Sequence, residues 1–146
     1  MTKPRAVLDT NVVVAAALSR NPASPNTELL QRLAQGEFDL LTCFTLYAEL
    51  AEKLSVKQVS LNRAAQILAL INALAEWVTL SPDDIEPLLP DPDDNVVIAC
   101  AVIGHAHYLV TYDPHFDGLG GEYQGIKIVK ALPFLWVVRG DTPAEA

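Results

Sequence analysis

An α/β fold in three layers, with a central parallel sheet of about five strands flanked by helices, is what the 146-residue sequence predicts. Three observations carry it. Short apolar runs alternate with longer amphipathic or Ala-rich segments, the order of strands and crossover helices in a parallel sheet. A Ser or Asp followed by Pro, the signature of a capped helix start, occurs at Ser24-Pro25, Ser81-Pro82 and Asp91-Pro92. Hydrophobic residues make up 51% and charged residues 19%, too apolar for disorder and enough for the core of one domain.

The elements follow in order. Ala6-Val7-Leu8, ending at Asp9, predicts a buried strand, and Asn11–Ser19 a short Ala-rich helix. Ser24 caps a second helix, with Leu29, Leu30 and Leu33 on one face and Gly36 as its stop. Phe38–Cys43 reads as a strand and Thr45–Ser55 as an amphipathic helix. Ser60 caps a helix that carries Ala64, Ile67, Leu68, Ile71 and Leu74, and Trp77–Leu80 is a short strand. The helix opened at Ser81 is stopped early by Pro87. Asp91 opens a nearly all-apolar helix from Val96 to about Gly104, and Tyr108–Thr111 is a strand that leads to Asp113. Gly118, Gly120, Gly121 and Gly125 mark a loop, Ile126–Val129 the last strand, and Pro133–Val138 a terminal helical turn. One domain over residues 1–139 and a loose tail over 140–146 are expected.

The formal net charge is −8. That argues against a protein that holds nucleic acid with a broad basic face, and leaves a small acidic catalytic cleft open. Cys43 and Cys100 lie in apolar contexts and read as buried free thiols. No run reaches the ~18–20 apolar residues of a membrane span, and Asp9 and Asn11 interrupt the N-terminal stretch where a signal peptide needs its core. A cytoplasmic protein is expected. His105 and His107, two residues apart without a third ligand nearby, do not make a zinc site.

Function in open α/β sheets gathers outside the carboxyl ends of the strands. Asp9 and Asp113 stand at or just past two such ends. On a helical wheel Leu46, Tyr47, Leu50 and Leu54 form one face, Glu52 lies opposite it, and Glu49 falls at its boundary. Glu49 therefore reaches a cleft edge or pairs with Lys53 one turn on. Asp91, Asp93 and Asp94 satisfy a capping box with Asp91 as cap and Asp94 three residues in; one of them is free to face a cleft while the others cap. Several carboxylates in one place raise each other's pKa and call for a divalent cation, and hard ions such as Mg²⁺ and Mn²⁺ prefer oxygen ligands. Such a cluster suits phosphodiester hydrolysis. Arg20, Lys53 and Lys57 lie near these elements and are candidate contacts for RNA phosphates, with a solvated surface as the default for each.

The stretches AVLDTN, YAELAEKL, DPDDNVVIACAVIGHAHYLVTYD and IKIVKALPFL, in this order and spacing, together resemble a PIN domain, most closely the VapC-like toxins of bacterial toxin–antitoxin pairs. The resemblance runs from Arg5 to Leu135. It implies a Mg²⁺- or Mn²⁺-dependent ribonuclease that leaves 3′-hydroxyl and 5′-phosphate ends, a small antitoxin that blocks the cleft with a basic residue, and a homodimer. Carried over by position, Asp9, Asp94 and Asp113 match the metal-holding acids and Glu49 the helical acid. Thr10 and Asn11 accompany the first acid and Thr111 the last. The resemblance thus selects Asp94 over Asp91 and Asp93. One departure stands out. Family members often read T-G-D-x-D at the last motif, whereas this chain has Thr111-Tyr112-Asp113-Pro114-His115. His115 reads by default as an exposed loop histidine, Asp117 stands two residues beyond it, and the second metal position is left in question. A non-catalytic protein- or RNA-binding module with a degraded metal site is the alternative. A phosphatase with Asp9 as nucleophile is a weaker third.

Overall fold

Consecutive residues of the first strand face different cores. Ala6 and Leu8 belong to one buried cluster, and Val7 between them to another, as the two-residue period of a strand requires. The computed structural model describes residues 2–141. Its elements are β1 (Arg5–Leu8), α1 (Thr10–Leu18), α2 (Pro25–Ala34), β2 (Asp39–Thr42), α3 (Phe44–Val56), α4 (Leu61–Leu74), β3 (Glu76–Trp77), α5 (Pro92–Ile103), β4 (Tyr108–Val110), β5 (Glu122–Tyr123), β6 (Ile126–Val129) and α6 (Ala131–Arg139). Single 3₁₀ segments cover Pro82–Asp84 and Pro114–Leu119.

The sheet has six strands in the order β3-β2-β1-β4-β6-β5. All neighbours are parallel except β5 and β6. Leu40 and Val110 join Ala6 and Leu8 against α1, α2, α4 and α6. Leu41 and Leu109 join Val7 against α5. Helix α3 contributes to both sides, with Leu50 and Leu54 in the first cluster and Leu46 in the second. Apolar strands covered on both faces are what an all-parallel sheet centre demands.

The order of strands creates the site. From β1 the chain builds outward to β2 and β3, then returns to lay β4 on the other side of β1. The winding therefore reverses between β1 and β4, and the crevice outside their carboxyl ends is the topological switch point.

The sequence-based expectations differ from the structure in several places. The sixth strand, β5, falls where a glycine loop is expected. Gln124 (φ 50°) and Gly125 (φ 83°) make a two-residue turn with both angles positive, the mirror-image turn that matches hairpin twist, and it folds β5 back on β6. The strand expected at Trp77–Leu80 is shorter and lies at Glu76–Trp77. The Ser81 signature yields only one 3₁₀ turn. Helix α5 starts at Pro92, four residues before Val96. The terminal turn is the nine-residue helix α6, where Pro133 is tolerated at the third position because the N–H it lacks has no intrahelical partner there. Cys43 and Cys100 are free and buried. Among the described residues no helix is long and apolar enough to cross a membrane. Residues 142–146 of the expected loose tail lie outside the described residues.

One ion network ties two outer helices together. Arg139 on α6 donates to both oxygens of Glu28 on α2, at 2.8 and 2.5 Å, and Arg32 donates to the same carboxylate at 3.0 Å. These bonds, Arg139 first, hold the Glu28 carboxyl down from an ordinary 4.5 to about 2. A depressed folded-state pKa stabilises above the unfolded value and is lost as pH falls through the folded one. Glu28→Gln should therefore lower the melting temperature at pH 7, by roughly 1–4 °C for a solvent-screened network. The gap to the parent should close between pH 4.5 and about 2, and a pH series of thermal melts checks it.

Candidate functional site

Asp9 follows the last residue of β1 and caps α1, its Oδ1 accepting from the Thr10 N–H at 2.8 Å. The site grows from this residue. The Thr111 hydroxyl, just past β4, donates to Asp9 Oδ2 at 2.8 Å, and Asn11 Nδ2 approaches the same oxygen at 3.5 Å. Thr111 Oγ1 also accepts from the Asp113 N–H at 3.0 Å, and Asn11 Oδ1 accepts from the Tyr112 N–H at 3.2 Å. The end of β1 and the loop after β4 are thus locked together across the switch point. Asp9, Thr10 and Thr111 are buried. Burial pushes the Asp9 carboxyl above its ordinary range, against the opposing bonds from Thr111 and Thr10, and Glu49 adds a repulsion that Lys53 partly offsets.

Glu49 and Lys53 lie one turn apart on α3. Their side chains pair at 2.9 Å, and Lys53 Nζ donates to Thr10 Oγ1 at 3.3 Å. The Glu49 contact raises the Lys53 pKa, helped by the fields of Asp9 and Asp113. Glu49 pairs with Lys53, as their spacing predicts, and its charge is felt at Asp9.

Asp94 enters from α5. Its backbone N–H bonds the Asp91 carbonyl three residues back at 3.1 Å, a 3₁₀-type bond that tightens the first turn. Its carboxylate does not close the expected capping box; instead Oδ2 lies 3.0 Å from His115 Nδ1. Asp91 alone caps the helix, accepting from the Asp93 N–H at 2.9 Å. Burial pushes the Asp94 carboxyl up, the His115 contact opposes this, and Asp113 and Asp91 add repulsion.

His115 is not an idle loop residue. Its side chain is 59% exposed, yet Nδ1 sits between Asp94 at 3.0 Å and Asp113 Oδ1 at 3.3 Å. The Asp94 contact raises its pKa, with Asp113 next in importance. Ligand atoms of Asp91, Asp94 and His115 all lie within 4.8 Å of one another. Adjacent ligands of an octahedral ion at ~2.1 Å sit ~3 Å apart, so the 3.0 and 3.3 Å spacings fit a bound divalent cation. Sequence reasoning kept neither His115 nor Asp91 as a site residue. The available signal was the position of His115, two residues after Asp113, where the family pattern has an acid.

The basic candidates divide. Lys53 is in the site. Lys57 lines, with Lys53, Asn11, Leu18 and Val56, a groove of about 600 Å³ between α1 and α3. Arg20 is exposed beyond the far end of α1, about 14 Å of helix from Asp9 at 1.5 Å per residue. Asp117 is exposed, and among the described residues it makes no side-chain bond to the other acids.

The class of fold is an α/β domain with a mostly parallel sheet and acidic residues at its topological switch point. Residues 5–115 match the PIN domain family, and the chain belongs to it. The matched span contains all four candidate acids and ends at His115. No curated protein sequence matches the chain. Among solved structures it is similar to a chain of VapBC2 from Rickettsia felis, crystallised bound to a DNA fragment from their promoter. The TM-score is 0.58 at 17% identity, over 85% of this chain and 96% of that one. Likeness at that identity shows a shared fold.

Two outcomes follow from the geometry. Thr111→Val keeps the side-chain volume and removes the hydroxyl donor to buried Asp9; it should cost about 1–3 kcal/mol in urea unfolding. Asp9→Asn should raise the melting temperature of the metal-free protein at pH 7. A carboxyl whose folded pKa is raised destabilises the fold once ionised. The gain should vanish below the ordinary value of 3.8 and grow as pH rises through the folded value.

Proposed function

We propose that this PIN domain is a divalent-metal-dependent endoribonuclease and the toxin of a toxin–antitoxin pair. The observation that carries the reading is the chain of contacts at the β1/β4 switch point, where Thr111 links Asp9 to the backbone of Asp113 and His115 lies between Asp113 and Asp94. The donor set fits Mg²⁺ or Mn²⁺, with Asp9, Asp94 and Asp113 as the residues that would hold the ion. Such an ion would supply activation of a water and neutralisation of charge on the scissile phosphate. Thr111 and Thr10 orient the Asp9 carboxylate. Asn11 fixes the loop that carries Asp113. Glu49, paired with Lys53 at 2.9 Å, would hold a metal-bound water or the ion itself. Lys53, held between Glu49 and Thr10, supplies a fixed positive charge for a phosphate oxygen, and Lys57 extends that charge along the groove.

The similarity in fold to a VapBC2 chain supports a small antitoxin as partner. A basic antitoxin side chain would pair with the acids. We also infer a cytoplasmic protein that works as a homodimer, on the family resemblance alone.

The test is cleavage of RNA by the purified chain with Mg²⁺ or Mn²⁺. Even outer-shell partners of a metal contribute ~10–100-fold. Asp9→Asn and Asp94→Asn should therefore each lose at least ~100-fold in rate, and a chelator should abolish cleavage of the parent. Equal cleavage by both variants would overturn the mechanism. Absence of cleavage by the parent, with a partner protein still bound, would favour the non-catalytic module.

A further inference from the structure

We propose that His115 is itself a metal ligand, so that this site is a mixed carboxylate–imidazole centre that favours Mn²⁺ and later first-row divalent ions over Mg²⁺. The proposal rests on the metal-centre reading given above and concerns this chain's departure from an all-carboxylate set. His115 Nδ1 lies 3.0 Å from Asp94 Oδ2 and 3.3 Å from Asp113 Oδ1. Both are spacings of neighbouring ligands on one octahedral ion, ~3 Å for metal–ligand distances of ~2.1 Å. Asp91 offers a further oxygen within 4.8 Å of the Asp94 and His115 atoms.

The backbone holds the imidazole in this place. The Asp113 carboxylate accepts from the His115 N–H at 2.9 Å, and Asp113 in turn is fixed by Thr111. Pro114 begins the 3₁₀ segment that turns the ring back toward α5. In the metal-free chain Nδ1–H donates to the carboxylates; a bound cation would take the place of that proton, with Nε2–H left toward solvent. Carboxylates alone suit Mg²⁺ and Mn²⁺, whereas an imidazole nitrogen adds affinity along the series from Mn²⁺ to Cu²⁺ and little for Mg²⁺.

The chain makes the proposal easy to test, because it has three histidines. His107 Nδ1 accepts from the Arg5 N–H at the opposite, amino end of β1, and His105 lies beside it in the turn before β4. A nitrogen coupled to bound Mn²⁺ therefore reports His115. Electron spin echo spectra of the full chain with one equivalent of Mn²⁺ should show ¹⁴N modulation from a directly bound imidazole, absent in His115→Ala. Calorimetric titration should show His115→Ala weakening Mn²⁺ by ~10-fold or more while Mg²⁺ changes by less than ~3-fold. His115→Asp should strengthen Mg²⁺ binding above that of the parent and narrow the gap between the two ions.

If the ring serves only as an internal counter-cation, His115→Ala removes a competitor and Mn²⁺ binds as tightly or more tightly. That result, or bound Mn²⁺ without nitrogen coupling, or no Mn²⁺ binding at all, overturns the proposal. RNA turnover is a separate readout. Cleavage without nitrogen coupling leaves the nuclease reading and removes this one; nitrogen coupling without cleavage does the reverse.

Discussion

The Asp9 carboxylate is buried at the end of the central strand, and both its oxygens are held by groups fixed to the sheet or to α1. Its backbone N–H bonds the Val110 carbonyl at 2.9 Å, and the Thr111 N–H bonds the Val129 carbonyl at 3.0 Å. The ends of β1, β4 and β6 are thereby in register where the side chains converge. Thr111 then links Asp9 to Asp113 through one hydroxyl that donates to the first and accepts from the backbone of the second. The positions of two acids on distant parts of the chain rest on this bridge, whose partners Asp9 and Thr111 are 102 residues apart in sequence. A site built on strand ends and a helix start is held more rigidly than one built on free loops.

Gathering acids in this way has an electrostatic cost that the chain offsets from two sides. Lys53 neutralises Glu49 on the α3 side and lies within the field of Asp9. His115 contacts Asp94 and Asp113 on the α5 side. The burial that raises the Asp9 and Asp94 carboxyls also strengthens attraction to any cation that enters. The net charge of −8 is thus misleading as a guide to partners when read as a total. Part of it is concentrated in a crevice where a divalent ion would offset two of the carboxylate charges.

What was legible in the sequence was local. Ser24, Ser60 and Asp91 are the caps that their neighbours announce, because capping is decided within one turn. The central strands are legible because both faces are buried and the residues are continuously apolar. β5 was not, since two residues paired on one side carry no period, and the turn that makes it uses Gln124 at positive φ where Asn or Asp is the usual signal. In the site, Asp9 and Asp113 followed from strand ends and Glu49 from the helical wheel. Asp94 required the family resemblance, because capping explained it equally well.

His115 and Asp91 lay beyond such reasoning for a physical reason. The contact between Asp94 and His115 joins residues 21 apart, and it exists only because α5 and β4 pack on the same side of the switch point. Nothing local to Pro114-His115 distinguishes a ring turned to solvent from one turned to α5. Asp91 shows the complementary ambiguity. One of its oxygens caps the helix while a ligand atom stays within reach of Asp94 and His115. A capping role does not use up a carboxylate, since two oxygens offer about four acceptor positions and a single N–H takes one. An acid that satisfies a helix start is therefore still available to a neighbouring site, and the capping explanation of the Asp91–Asp94 run was sufficient without being exclusive.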